Sequence, residues 1–131
     1  MLRGMEFLMS RMILHPRDPE RSVAFYRDTL GLAVYREFPG GTVFFLGNGL
    51  LEVSGRGETG PGQDVVLWLQ VRDIADTARQ LEDLGVPVER APEEEPWGLV
   101  EMWLRDPDGL RIVVVQVPDD HPIRRDQRQP S

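Results

Sequence analysis

Asp18-Pro19-Glu20-Arg21-Ser22-Val23-Ala24-Phe25-Tyr26-Arg27-Asp28-Thr29-Leu30-Gly31 is the stretch whose reading decides the fold. Asp18 is an N-cap: its carboxylate can accept from the unpaired N–H groups of a first helical turn. Pro19 follows at the first helical position, where its missing N–H costs nothing, and Glu20 complements the positive end of the helix dipole. Val23, Phe25, Tyr26 and Leu30 recur at helical spacing, and Gly31 is a C-terminal stop. Phe25 is expected in the core and Tyr26 half-buried. On the N-terminal side, Arg11–His15 reads as a strand closed by Pro16. On the C-terminal side, Leu32–Phe38 and Thr42–Leu46 read as strands around Pro39-Gly40-Gly41. Gly47-Asn48-Gly49 is a hairpin signal leading into a strand at Leu50–Ser54. The adjacent Phe44 and Phe45 must face opposite sides of their strand, and the sequence does not choose which.

The same order then returns. Val65–Val71 is a strand and Asp73 a second N-cap. Ile74, Ala78, Leu81 and Leu84 form an apolar stripe that ends at Gly85. Val86–Arg90 reads as a short strand, and Ala91-Pro-Glu-Glu-Glu-Pro-Trp-Gly98 as a solvated acidic loop. Leu99–Arg105, the turn Asp106-Pro-Asp-Gly109 and Leu110–Val117 complete the pattern. Arg17-Asp18 matches Arg72-Asp73, Leu30-Gly31 matches Leu84-Gly85, and Asn48-Gly49 matches Asp108-Gly109. Three landmarks in one order identify a duplicated β-α-β-β-β unit. The expected organisation is a single domain: module one about 11–54, a Gly-rich linker 55–63, module two about 64–117, and a flexible tail 118–131.

Composition narrows the function. The chain has 131 residues and a formal charge of −7, with no Cys and no Lys. That excludes disulfides, thiolate metal sites and a Cys nucleophile. An acidic chain is a poor partner for nucleic acid, whose phosphates want a basic footprint. No apolar run reaches the roughly 18–20 residues of a membrane span, and Met1–Met9 does not read as a signal peptide, so a cytoplasmic protein is expected. The charge is uneven. Residues 63–117 hold twelve acids against five Arg, along with all three Trp, whereas 1–62 and 118–131 are each balanced.

The string Asp18–Tyr26, then Leu30-Gly31-Leu32, and Asp106–Gly109 resemble the vicinal oxygen chelate superfamily: glyoxalase I, bleomycin-resistance proteins and extradiol dioxygenases. The resemblance spans roughly residues 11–117. It implies an α+β fold of two tandem βαβββ modules, with curved sheets around a cavity and helices outside. Strand alternation fits. A Glu facing a helix-packed core would be costly, so Glu52 should face the cavity. By the same alternation Val66, Trp68 and Gln70 face in, as do Glu101, Trp103 and Arg105, while Val100, Met102 and Leu104 pack under a helix. Metal-dependent members use up to four inward His, Gln or Glu ligands. The matching positions here are Arg11, Glu52, Val66 and Val113. A guanidinium has no lone pair to give and Val no donor atom, so Glu52 is the only retained ligand position. Hairpin spacing leaves Val113 matched with either Glu52 or Val53. Arg11 either pairs with Glu52 in the space a metal would take or lies exposed at the strand's start.

The run Glu95-Pro-Trp-Gly-Leu-Val-Glu101, leading into Asp106–Gly109, is similar to the metal-free antibiotic-binding branch. That implies a ligand site of Arg11, Glu52, Trp68, Trp97, Glu101, Trp103 and Arg111, taking an aromatic or cationic drug or metabolite. The Trp rings would offer stacking surfaces and nearby carboxylates would attract a cation. No cofactor is expected. The alternatives are a lyase, isomerase or oxygenase with a divergent site around His15, Glu52 and Glu101, where a divalent metal would return, or a dimeric interaction module without ligand. Catalytic residues are otherwise unassigned. His15 either lines the cavity as an acid/base or bonds backbone at its strand end, and His121 is expected to be solvated. The resemblance also implies a homodimer.

Overall fold

The computed structural model describes residues 4–122. Contacts divide the chain into two units, Met1–Pro61 and Gly62–Ser131, each a β-α-β-β-β module. In the first, β1 (Arg11–Leu14), α1 (Pro19–Ala24), β2 (Val34–Phe38), β3 (Gly41–Leu46) and β4 (Gly49–Ser54) form a sheet of order β1-β4-β3-β2. In the second, β5 (Val66–Val71), α2 (Ile74–Asp83), β6 (Val88–Glu94), β7 (Val100–Arg105) and β8 (Arg111–Gln116) form a sheet of order β5-β8-β7-β6. The outer pairs β1–β4 and β5–β8 are parallel and the rest antiparallel. Parallel neighbours need a crossover, and the helix of each module begins it.

Both helices start as their sequences dictate. Asp18 Oδ1 accepts from the Arg21 N–H at 3.2 Å, and Asp73 Oδ1 from the Asp76 N–H at 3.1 Å. Their ends differ. Twelve residues lie between Asp18 and Gly31, but eleven between Asp73 and Gly85. The extra residue is absorbed in a π-helical turn, Phe25–Thr29, where the Leu30 N–H reaches the Phe25 carbonyl at 2.9 Å. The matching bond in α2 runs from the Leu84 N–H to the Gln80 carbonyl, one residue shorter. The closing bonds follow suit: Leu32 to Tyr26, against Val86 to Leu81. A wider turn is how a helix accommodates one inserted residue. Tyr26, expected half-buried, is 0% exposed, with its ring 5.1 Å from that of Phe25 and 6.3 Å from that of Phe44.

Several strand limits need correction. β2 begins at Val34, not Leu32, and β6 at Val88, not Val86. β6 also runs on to Glu94 through residues expected to be loop. It tolerates Pro92 because it is an edge strand and its pairing with β7 is interrupted between Arg90 and Glu93.

Register fixes the faces. Gln116 Oε1 accepts from the Ile74 N–H at the start of α2, which places the even-numbered residues of β8 under the helix. Ile112 pairs there with Leu104 and Leu67, and Val114 with Met102. These pack with Leu81 into the buried helix-side core. In the first module Phe44 contacts Tyr26 and pairs with Leu51, so Leu51 and Val53 lie under α1 and Glu52 faces away. Phe45 takes the opposite face and is exposed, in edge-to-face contact with Tyr35.

Candidate functional site

The open face of the first sheet carries a small polar network. Register sets Ile13 beside Glu52 and, equivalently, Trp68 beside Val113. The match left open by hairpin spacing is therefore Glu52 with Val113. Arg11, two residues before Ile13, reaches Glu52: Nη1 donates to Oε1 at 2.8 Å. The other carboxylate oxygen accepts from Ser54 Oγ at 2.7 Å. These hydrogen bonds, Ser54's first and Arg11's second, hold the Glu52 carboxyl below its usual range. His15 Nδ1 meets the Ser54 carbonyl at 2.6 Å. A carbonyl only accepts, so Nδ1 carries the proton and donates, leaving Nε2 as the basic nitrogen. Gly57 is required beside this strand end, because a Cβ there would lie 2.0 Å from the His15 carbonyl oxygen.

The positions that the resemblance would make metal ligands are Arg11, Glu52, Val66 and Val113. The first is a cation, the last two have no donor atom, and Glu52's carboxylate is held by Arg11 and Ser54. These residues do not fit a divalent cation, which takes three or more protein ligands. Among the described residues no group of three or more His, Asp or Glu is arranged around such a point.

The second sheet's face away from α2 is aromatic where the first is polar, and its central residues Val113 and Val115 are buried. Val113 lies between Trp68 on β5 and Trp103 on β7. Leu99, Val115 and Val117 continue the apolar floor, and Trp103 packs against it. Trp68 remains 44% exposed. One strand position along, Arg111 stands between Val66 and Arg105, and its guanidinium carbon lies 4.6 Å from the Trp103 ring centroid. One position the other way, Val115 stands between Gln70 and Glu101.

Glu101 is only 7% exposed and accepts the Trp97 indole N–H at 2.9 Å. This fixes the Trp97 ring while leaving the residue 58% exposed. The loop is held at two further points. Arg90 donates to a Glu95 carboxylate oxygen and to the Glu101 carbonyl, and the hydrogen bond to Glu95 pushes the guanidinium pKa further up. His121 Nε2 donates to the Trp97 carbonyl at 2.7 Å and packs over Gly98, where a Cβ would lie 3.0 Å from the His121 ring. His121 is thus bonded rather than solvated, and Glu95 is 11% exposed rather than part of a free acidic loop. The tail beyond Pro122 lies outside the described residues.

Each sheet therefore gathers part of the expected set: Arg11, His15 and Glu52 on one, Trp68, Trp97, Glu101, Trp103 and Arg111 on the other. Sequence reasoning missed Ser54, Arg90, Gln63 and Arg105 as partners. Ser54 was within reach, since it shares Glu52's face two residues on. Arg90 carried a weaker signal, the one cation of its strand, a few residues before the acids Glu93–Glu95. Gln63 carried none: its contacts cross some forty residues of sequence.

A family model for the glyoxalase/bleomycin resistance protein/dioxygenase superfamily matches residues 9–114. The fold is similar to three solved structures. A glyoxalase/bleomycin resistance protein/dioxygenase from Nocardioides gives a TM-score of 0.77 at 18% identity, covering 99% of this chain and 93% of that one. A lactoylglutathione lyase from Agrobacterium tumefaciens gives 0.69 at 22%, covering 87% and 96%. A glyoxalase-related enzyme from Fulvimarina pelagi gives 0.71 at 21%, covering 87% and 90%. No curated protein matches the sequence.

Proposed function

Since the chain belongs to the glyoxalase/bleomycin resistance protein/dioxygenase superfamily, we propose that it has kept the fold and given up the metal, binding a small planar aromatic molecule instead. The observation that supports this reading most is what replaces the ligand positions. In the first module a cation, Arg11, is paired with the one carboxylate, Glu52. In the second, Val113 makes a dry floor between Trp68 and Trp103. Such a floor offers stacking and apolar contact, worth about 0.5–1.5 kcal/mol per aromatic pair beyond area burial. No residue of that floor can supply a nucleophile or an acid/base pair, so the reading is sequestration of a drug or metabolite rather than its conversion.

The test is a fluorescence titration of chelator-treated full-length protein with planar aromatic compounds of negative, zero and positive charge. All three Trp lie in the second module, so their emission reports this face. Binding should survive chelation and weaken in W68L and W103L. A ligand that binds only after Zn²⁺, Fe²⁺, Mn²⁺ or Ni²⁺ is restored would overturn the metal-free reading. If no compound perturbs the Trp emission, the binding reading fails.

A further inference from the structure

We infer that the ligand of the second sheet's face away from α2 is an aromatic anion, a planar carboxylate whose ring lies against the exposed side of Trp68 and whose charged group meets Arg111. The inference rests on the proposed binding face and supplies its charge. Acids dominate the second module, but on this face the strands place one, Glu101, which is buried and takes the Trp97 indole N–H at the end of the sheet away from Arg111. Asp76, Glu82 and Asp83 sit on α2 and Asp73 caps it, while Asp106 and Asp108 build the β7–β8 turn. The acids of β6 and its loop are spent on other cations: Glu89 on Arg105, Glu93 and Glu95 on Arg90.

Arg111 has no such partner among the described residues. Its contacts are the Trp103 ring and, at 3.4 Å, the Gln63 carbonyl. It also stands directly across the ladder from Arg105, another cation, with Gln63 bonded to both. Arg105 has Glu89 as its partner, whereas Arg111 has no carboxylate among the described residues, and a ligand carboxylate there would take a charge-assisted hydrogen bond. The Trp103 ring is already covered by a guanidinium, so a cationic ligand would meet an occupied surface there. Register puts Trp68 one strand over and one pair along from Arg111 on the same face, so ring and carboxylate are reached together.

The experiment holds the ring constant and varies the charge: 2-naphthoate, 2-naphthamide and 2-naphthylmethylammonium, titrated into full-length protein by calorimetry at low and moderate salt. Naphthoate should bind roughly tenfold tighter than the amide, and the ammonium weakest. The naphthoate advantage should shrink with salt. R111Q should bring naphthoate to within about threefold of the amide. Equal affinities, or a preference for the ammonium, would overturn the charge assignment while leaving the aromatic face standing. Binding of none of the three would overturn both. The wild-type series alone decides the sign if R111Q does not fold.

Discussion

The two modules share one plan and differ at three places. The first helix holds one residue more and closes through a π turn, whereas the second is α-helical to its end. The matched sheet positions have gone opposite ways: Glu52, with Arg11 and Ser54 around it, against Val113, with Trp68 and Trp103 around it. The β6–β7 connection bears Trp97 and is held by Arg90, Glu101 and His121, whereas β2 and β3 are joined by the tight Pro39-Gly40 turn. A duplicated unit thus keeps its ladders and its helix-side core, while the face away from the helix is free to change polarity. The reason is physical. Helix-side residues must interlock at crystal-like density, but open-face residues need only satisfy one another or a ligand.

The largest test of this contrast lies in the helix-side core. The Tyr26 and Leu81 carbonyls accept the hydrogen bonds that close the two helices, and both side chains are buried. Tyr26→Ala should cost about 3–5 kcal/mol and Leu81→Ala about 2–5 kcal/mol in urea unfolding followed by circular dichroism. If Tyr26→Ala costs under 1 kcal/mol, the π turn is not anchored as described.

Next comes the hairpin turn. Asp106 accepts from the N–H groups of Asp108 and Leu110, both at 2.9 Å, whereas the matching Gly47-Asn48-Gly49 turn has no acid. Asp106→Ala leaves buried donors without their acceptor and should cost about 1–3 kcal/mol. An unchanged urea midpoint would show that the turn closes without it.

A smaller effect is expected from deleting Asp28, an exposed residue of the π turn. The deletion should convert that turn to α geometry like that of α2, at a cost of about 1 kcal/mol or less. Unfolding of the variant would show that the extra residue is required rather than merely housed.

The smallest effect concerns Glu52. Its carboxyl is held below the usual range, first by Ser54 and then by Arg11, so as the pH falls the unfolded chain takes up the proton before the folded one. The associated stability is complete above the ordinary carboxylate range and is lost as the pH drops through the lowered folded value. Wild type and Glu52→Gln should therefore differ in the pH dependence of their urea midpoints below that range, and run parallel above it. Parallel curves throughout would remove the ion pair from the account.

Much of this was legible in the chain. Asp caps, Leu-Gly stops and turn glycines are local devices, so both modules and their order could be read directly. The residue types at Arg11, Val66 and Val113, none of them a metal donor, needed no coordinates. What could not be read was any quantity depending on register or on contact across the fold. Counting from the hairpin glycines left Glu52 and Val53 equally placed opposite Val113, because the turns differ in how many residues they hold. The run 91–98 read as a solvated loop from its composition, yet β7 pairs with part of it and Arg90 neutralises Glu95.

By itself, then, the sequence determined the duplication and the helix boundaries at their capped ends, because each depends on residue type and short-range spacing. Only the tertiary structure decided that Arg11 meets Glu52, that Trp68 and Trp103 flank Val113, and that Arg111 lies over Trp103 with no acid paired to it among the described residues. Those facts depend on which strand lies beside which, and in what register. A shift of one residue would turn every one of these side chains to the other face.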